Sequence, residues 1–156
     1  MKSYKLRAAL FTVSLSGAML LPALALAELG GDAVSIDTDR RAFHAEMRST
    51  PMVNYNLHGI TTEAGTVVHE YSTRLGTVFA VTWQGPMPPD LKQLFGKYYE
   101  QYQSAAAAQM RPGMHRQLNI AAADLVVESS ARLRAFGGRA YVPSLVPAGV
   151  SVAELR

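Results

Sequence analysis

The sequence predicts an α+β fold in which an antiparallel sheet of about five strands packs against one long amphipathic helix. Residues 52–84 are rich in Val, Thr, Tyr and Phe and are interrupted by Gly65 and Gly76, which indicates three strands joined by tight turns. Apolar residues then recur at helical spacing over 89–109. Strand-like segments return over 117–142, so we expect the helix to cover one face of a single sheet.

The first 27 residues have the pattern of a secretory signal peptide. Three basic residues precede an uncharged apolar run over 8–21, and Ala25-Leu26-Ala27 supplies the small residues of a cleavage site. We expect cleavage near Ala27 and release of 28–156 as a single globular domain in the periplasm or outside the cell. An uncleaved membrane anchor is the alternative, because 8–27 is long enough to span a bilayer.

The composition narrows the classes of function. Three of the fifteen Lys and Arg residues lie in the signal peptide, so 28–156 carries twelve basic and twelve acidic residues and no net attraction to nucleic acid. The sequence has no cysteine, which excludes disulfides, thiolate metal sites, a cysteine nucleophile and a lipid-modified cysteine. We predict contact with a membrane only through the signal peptide during export.

Two elements are expected between the signal peptide and the sheet. Residues 28–32 include two glycines and are predicted to form a flexible lead. Over 36–49, the side chains of Ile36, Phe43 and Met47 fall on one helical face. This spacing predicts a short N-terminal helix that ends before Pro51.

The sheet is predicted to begin with a three-stranded meander at 53–61, 66–73 and 77–84. Gly65 and Gly76 each end a three-residue turn, where glycine adopts a positive φ at little cost. The sequence Gly-Thr-Val occurs twice, at 65–67 and at 76–78. The two similar hairpin turns explain this repeat without a ligand.

The two turns predict a register for the meander. If Thr62 pairs with Thr66 and Thr73 pairs with Thr77, the side chains divide between two faces. The face expected to form the core collects Tyr55, Leu57, Val67, His69, Tyr71, Phe79, Val81 and Trp83. The opposite, more polar face collects Asn56, His58, Ile60, Val68, Glu70, Ser72, Val78, Ala80 and Thr82.

The helix at 89–109 is expected to begin at Pro89 and Asp90, which suit a helical N-terminus. Gly96 has low helical propensity and indicates a close approach to the sheet. The apolar positions are Leu91, Leu94, Phe95, Tyr98, Tyr99, Tyr102 and Ala106. We predict that the three tyrosines pack in the core, with a stacking platform for sugars or peptides as the alternative.

The last third is predicted to contain further strands at QLNIA, DLVVESS, RLRAF and RAYV. Gly137 and Gly138 indicate a turn between the last two. A predicted hairpin turn at Ser129-Ser130-Ala131, without a glycine, joins DLVVESS to RLRAF. Beyond Pro143 we expect no regular structure except a terminal helical turn or a frayed end.

Two groups of side chains are candidates for chemistry. His58 faces Glu70 in the predicted register, which suits a general base, half of a metal site, or a cross-strand pair on a wet surface. Arg132 and Arg134 alternate along one strand, with Arg139 close behind. They indicate a small anion-binding patch or a solvated strand face.

Other chemistries have little support in the sequence. The histidines show no compact metal-binding spacing; they are His44, His58, His69 and His115. The sequence contains no nucleophile elbow, P-loop or dinucleotide fingerprint. We therefore predict no metal, no cofactor and no nucleic-acid partner.

Three stretches of the sequence carry a family resemblance: LGGDAVSIDTDR, GTVFAVTWQGPMPPDLKQLFGKYYEQY and LRAFGGRAYVPSLVPAGV. The chain resembles the uncharacterised bacterial family catalogued as domain of unknown function 2844, over nearly all of 29–150. The run from Trp83 to Tyr98 is the most specific part. The resemblance implies a short exported protein and supplies no activity, ligand or catalytic residue.

The function expected from these observations is that of an exported, non-enzymatic module that binds a small ligand or an envelope protein. Its expected surface is Trp83-Gln84-Gly85-Pro86, because a rigid bridge rich in Gly and Pro joins the tryptophan strand to the helix. His58 and Glu70 are further candidates for that surface. The alternative is a small periplasmic metal-binding protein or hydrolase that uses His58 and Glu70.

Overall fold

The computed structural model describes residues 28–32, 47–109 and 117–156. Within them, seven antiparallel strands form one sheet in the order β1-β2-β3-β4-β7-β6-β5. The strands are β1 (Met47–Pro51), β2 (Asn56–Thr61), β3 (Val67–Ser72), β4 (Val78–Gly85), β5 (Gln117–Ala122), β6 (Leu125–Arg132) and β7 (Ala135–Tyr141). The predicted antiparallel sheet is confirmed, but its predicted size of about five strands is wrong.

The predicted N-terminal helix accounts for one of the missed strands. Its residues 36–46, and the whole predicted signal peptide, lie outside the described residues. Its expected end is extended instead, because Met47–Pro51 forms β1 and pairs with β2. The helix prediction is therefore wrong for the last residues that it included.

The turns predicted in the last third are also wrong. Gly137 and Gly138 lie inside β7, where they pair with β4 on one side and β6 on the other. Residues 129–131 lie inside β6. The β6–β7 turn is made by Leu133 and Arg134, and Arg134 has a φ of 56°.

The predicted helix at 89–109 is interrupted. Helix α1 (Leu91–Phe95) and helix α2 (Tyr99–Gln109) are separated by a 3-10 turn at Gly96–Tyr98. A Cβ atom at Gly96 would clash with the carboxylate of Glu28, so the close approach is to residues 28–32 and not to the sheet. No helix in the described residues is long and apolar enough to cross a membrane.

Both hairpin turns of the meander have the predicted register. The main-chain nitrogen of Thr62 donates to the carbonyl of Thr66, and that of Thr73 donates to the carbonyl of Thr77, each at 2.8 Å. Gly65 and Gly76 have φ angles of 80° and 99°, as the turn type requires.

A β-bulge then changes which side chains share a face. Phe79 is an extra residue of β4, because Tyr71 pairs with Ala80 while Ser72 pairs with Val78. The predicted grouping of side chains is correct up to Phe79 and inverted for Ala80, Val81, Thr82 and Trp83. The face predicted to be the more polar one packs against the helices, so the predicted core face is wrong.

One face of the sheet, which we call the helix face, packs against α1 and α2. The indole of Trp83 lies 5.9 Å from the ring of Phe95, and that ring lies 5.0 Å from Tyr102, measured between centroids. Tyr98 and Tyr99 also pack against this core, as predicted. The strands contribute Ile60, Val68, Val78, Val81, Trp83, Ile120, Leu125, Val127 and Ala140.

The opposite face, which we call the open face, is only partly covered. Residues 143–156, the C-terminal segment, cover its apolar part, where Leu155 packs against Tyr71, Phe79 and Ala80. Two short 3-10 turns, Pro143–Leu145 and Val152–Glu154, shape this segment. Of the two expected forms of the chain end, the helical turn is correct, because Val152–Glu154 forms a 3-10 turn and Leu155 is buried.

Residues 28–32, the N-terminal segment, are bound to the fold. The main-chain nitrogen of Leu29 donates to the carbonyl of Leu94 at 2.9 Å, and Gly30 and Gly31 exchange hydrogen bonds with Val78. The Leu29 side chain is fully buried. The prediction of a flexible lead is therefore wrong.

Candidate ligand-binding groove

The uncovered part of the open face forms a groove of about 1000 Å³. Directly paired residues of antiparallel strands point to the same face, so the registers define two rows of side chains along its floor. The first row is His69, Thr82, Arg139, Glu128 and Asn119. The second row is Val67, Gln84, Gly137, Ser130 and Gln117. Most of these side chains are polar, so the floor is suited to hydrogen bonding.

An ion pair in the first row joins the groove to the C-terminal segment. The Arg139 guanidinium approaches the Glu128 carboxylate with Nη2 at 2.8 Å and Nε at 3.0 Å from Oε2. Its Nη1 donates to the carbonyl of Val152 at 2.9 Å. Arg139 is thereby held in place at the border between the covered and uncovered parts of the open face.

The C-terminal segment is fastened at its other end by two side chains of β3. The Tyr71 hydroxyl donates to the main-chain oxygen of Arg156 at 2.7 Å and accepts from its nitrogen at 3.1 Å. His69 Nδ1 lies 2.8 Å from the same oxygen. Burial raises the pKa of the Tyr71 phenol, which keeps the proton available for this bond. His69 is thus a groove residue that binds main chain, and not the core histidine that the predicted face implied.

Two arginines stand at the far end of the groove. Arg132 ends β6, and Arg134 lies in the β6–β7 turn, so the expected alternation along one strand is wrong. Both side chains are exposed and line the groove. Neither makes an ion pair with any described residue. They therefore offer positive charge to a ligand.

The four residues expected to form the binding surface are divided by the sheet. Trp83 is 5 % exposed, and its indole belongs to the helix-face core. Gln84 and Pro86 are exposed and line the groove together with Gly85. The tryptophan is therefore structural, while its neighbours in the chain border the groove.

The Gly- and Pro-rich bridge is fixed by the first hairpin. The buried Thr66 hydroxyl donates to the carbonyl of Met87 at 2.6 Å. A Cβ atom at Gly85 would clash with Thr66, so glycine permits this contact. The hairpin thereby holds the groove rim formed by Gly85 and Pro86.

His58 and Glu70 do face each other, as the register predicts, but on the helix face. Both are buried, so the expectation of a wet polar surface is wrong. The ring nitrogens of His58 lie 2.9 Å from the hydroxyls of Ser49 and Ser72, so the histidine joins three strands. Desolvation lowers the pKa of His58, which favours a neutral ring.

The pair lies apart from the groove and from any compact set of metal ligands. The described residues contain no group of three His, Asp or Glu side chains that could hold a metal ion. His44 and His115 lie outside the described residues. The pair is best explained as part of the packing between β1, β2 and β3.

The sequence-based site prediction does not include several groove residues, above all Gly137 and Glu128, the partner of Arg139. A signal was present, because polar residues alternate with apolar ones in β5 and β6. The polar members of that alternation are Gln117, Asn119, Glu128, Ser130 and Arg132. This pattern indicates one polar face on two neighbouring strands.

A family model described as "Protein of unknown function (DUF2844)" matches residues 25–155. No curated protein matches the chain, and no solved structure matches it.

Proposed function

The chain belongs to the DUF2844 family, and we propose that it is an exported, non-enzymatic module that binds a ligand in the polar groove of the open face. The observation that carries the proposal is the incomplete cover of this face. The C-terminal segment packs on its apolar part and leaves two rows of mostly polar side chains in a concavity of about 1000 Å³. A concave surface with convergent polar groups is the usual form of a ligand site.

The spacing of the groove side chains supports binding over catalysis. His69 lies on β3 and Ser130 on β6, with β4 and β7 between them. Three strand spacings amount to about 14 Å, which is far beyond the reach of a base that activates a hydroxyl. Thr82 pairs directly with His69, but it is buried at 5 % exposure. Glu128 is already engaged by Arg139.

Export is supported by the sequence pattern of residues 1–27. We expect removal of this segment near Ala27 to release 28–156 as one domain in the periplasm or outside the cell. Cell fractionation followed by intact-mass measurement tests this, and a protein that keeps residues 1–27 in the membrane fraction would contradict it.

Binding is tested by two-dimensional ¹H-¹⁵N NMR of the isotope-labelled protein, purified from cells that express the whole chain. Panels of short peptides, oligosaccharides, nucleotides and lipid head groups are added one class at a time. We expect at least one class to shift the amide signals of Gln84, Ser130 and Gly137. If no class shifts these signals, or if shifts cluster around His58, the groove is not the functional site.

A further inference from the structure

Gly137 and Gly138 are neighbours in β7 with different reasons to be glycine. A Cβ atom at Gly138 would lie 2.5 Å from Cζ2 of Trp83 and 2.6 Å from the carbonyl oxygen of Glu128, which the fold does not allow. A Cβ atom at Gly137 would meet only the carbonyl oxygen of Trp83, at an ordinary distance of 3.5 Å. Its φ also lies outside the left-handed region. The fold therefore requires glycine at 138 and does not require it at 137.

Glycine inside a strand weakens the strand, and it marks places where another molecule approaches the backbone closely. Gly137 occupies the middle of the second floor row, between Gln84 on β4 and Ser130 on β6. Any side chain at this position would rise into the groove. The bare backbone thus deepens the floor at its centre.

The charge on the groove is strongly positive. Four arginines line it, at positions 132, 134, 139 and 156, and Glu128 is the single acidic residue among the described residues that line it. Glu128 is neutralised by Arg139, whereas Arg132 and Arg134 remain exposed. Arginine binds carboxylates and phosphates through paired hydrogen bonds. The complementary ligand therefore carries one of these two anionic groups.

The remaining floor side chains favour carboxylates that are carried on a polypeptide. Gln84, Gln117, Asn119 and Ser130 each offer both donors and acceptors, as the main chain of a peptide does. A phosphate chain would leave their donor–acceptor balance unused, because it presents acceptors only. The two floor rows contain no Tyr, Trp or Phe on which sugar rings would stack. Phe136 also lines the groove, but its side chain lies on the other face of β7.

Resting on the proposed function of the groove, we propose that its ligand is an acidic polypeptide segment in an extended conformation. The segment lies across the bare backbone of Gly137, hydrogen-bonded to the surrounding amide side chains. Its carboxylates contact Arg132 and Arg134. The bridge at Gly85 and Pro86, held by Thr66, forms the fixed rim of the site.

The test is fluorescence anisotropy of labelled hexaglutamate with the protein purified from cells that express the whole chain. We expect saturable binding that weakens with added salt, and no binding of hexalysine. The double variant Arg132→Gln/Arg134→Gln should lower the affinity at least tenfold. Lys92→Gln/Lys97→Gln removes the same charge from α1 and the 3-10 turn that follows it, and should change the affinity less than twofold.

Gly137→Leu fills the floor and should abolish binding. If Gly137→Leu fails to fold, Gly137→Ala is the second variant, because its Cβ fits without a clash; it should weaken binding by several fold. Equal affinity for the double arginine variant and the wild type overturns the proposal. So does binding of hexagalacturonate without binding of hexaglutamate, which would show a carbohydrate ligand in the same groove.

The ligand class and the binding function of the groove are tested separately by the two experiments. If hexaglutamate does not bind while another class shifts the groove signals in the NMR experiment, the ligand class is wrong and the binding function survives. If no class shifts those signals, both are wrong.

Discussion

The two faces of the sheet are filled in opposite ways. On the helix face, nearly every side chain is packed in the core, and even the facing polar side chains of His58 and Glu70 are buried. On the open face, the C-terminal segment covers one part and leaves polar side chains in the other. Residues whose identity packing does not explain are therefore concentrated on the open face, and they are the better candidates for function.

The difference is sharpest along single strands. Trp83 and Gln84 are consecutive in β4, yet the Trp83 indole is buried in the core and the Gln84 side chain is exposed in the groove. In β7, the packing likewise requires glycine at Gly138 but not at Gly137. Substituting two such neighbours, one on each face, compares how much each face contributes to stability within the same strand.

The largest expected effect is at the tryptophan. Trp83→Ala removes a buried indole from the core around Phe95 and should lower the free energy of unfolding by about 3–5 kcal/mol. Gln84→Ala, on the open face, should change it by less than about 0.5 kcal/mol. Urea denaturation measures both, and similar losses for the two variants would contradict the assignment of faces.

The next effect separates the two glycines. Gly138→Ala places a methyl group against the Trp83 ring and should cost about 1–3 kcal/mol in the free energy of unfolding. Gly137→Ala should cost less than about 0.5 kcal/mol, since its methyl group meets only an ordinary contact. Thermal unfolding of both variants checks this. A larger loss at 137 than at 138 would mean that the fold, and not a ligand, requires that glycine.

A smaller effect, of opposite sign, is expected at Arg134. Its φ of 56° is unfavourable for a residue with a Cβ atom, so Arg134→Gly should raise the free energy of unfolding by about 1 kcal/mol while it weakens hexaglutamate binding. Ala123, with a φ of 42° in the β5–β6 turn, is the matched control. Ala123→Gly should also stabilise the protein but leave binding unchanged. Loss of stability in Arg134→Gly would contradict this account of the turn.

The last prediction concerns pH and the helix face. Burial lowers the pKa of His58 in the folded state, so the unfolded chain takes up a proton first as the pH falls through its usual value of about 6.5. The contribution of His58 to stability is therefore present above that pH and lost below it. His58→Gln should reduce the difference between unfolding free energies at pH 8 and pH 5.5. An unchanged difference would show that other groups cause it.

The sequence predicts local features of the fold more reliably than long-range ones. Gly65 and Gly76 identify the two hairpin turns, because glycine at a positive φ is a local requirement. The bulge at Phe79 gives no such signal, since its extra residue is an ordinary strand former. The packing of Leu29 and Leu155 also has no local signal, because their partners are distant in the chain.

The sequence predicts only part of the groove, because only some of its residues carry a local signal. Gln84, Gly85 and Pro86 stand out as a Gly- and Pro-rich bridge, and they do line the groove. Gly137 is predicted to lie in a turn because tandem glycines usually mark turns. The sequence does not indicate the β6–β7 turn, because Arg134 adopts a conformation there that usually favours glycine or asparagine.

Because of the bulge at Phe79, the face on which each later β4 side chain lies depends on the number of residues in the strand. Removing one residue there would shift the alternation by one position, so the indole of Trp83 would point into the groove. Thr82 and Gln84 would then enter the core in its place. The chain should therefore accept exchanges at Gln84, the exposed residue of β4, but hardly any insertion or deletion within the strand.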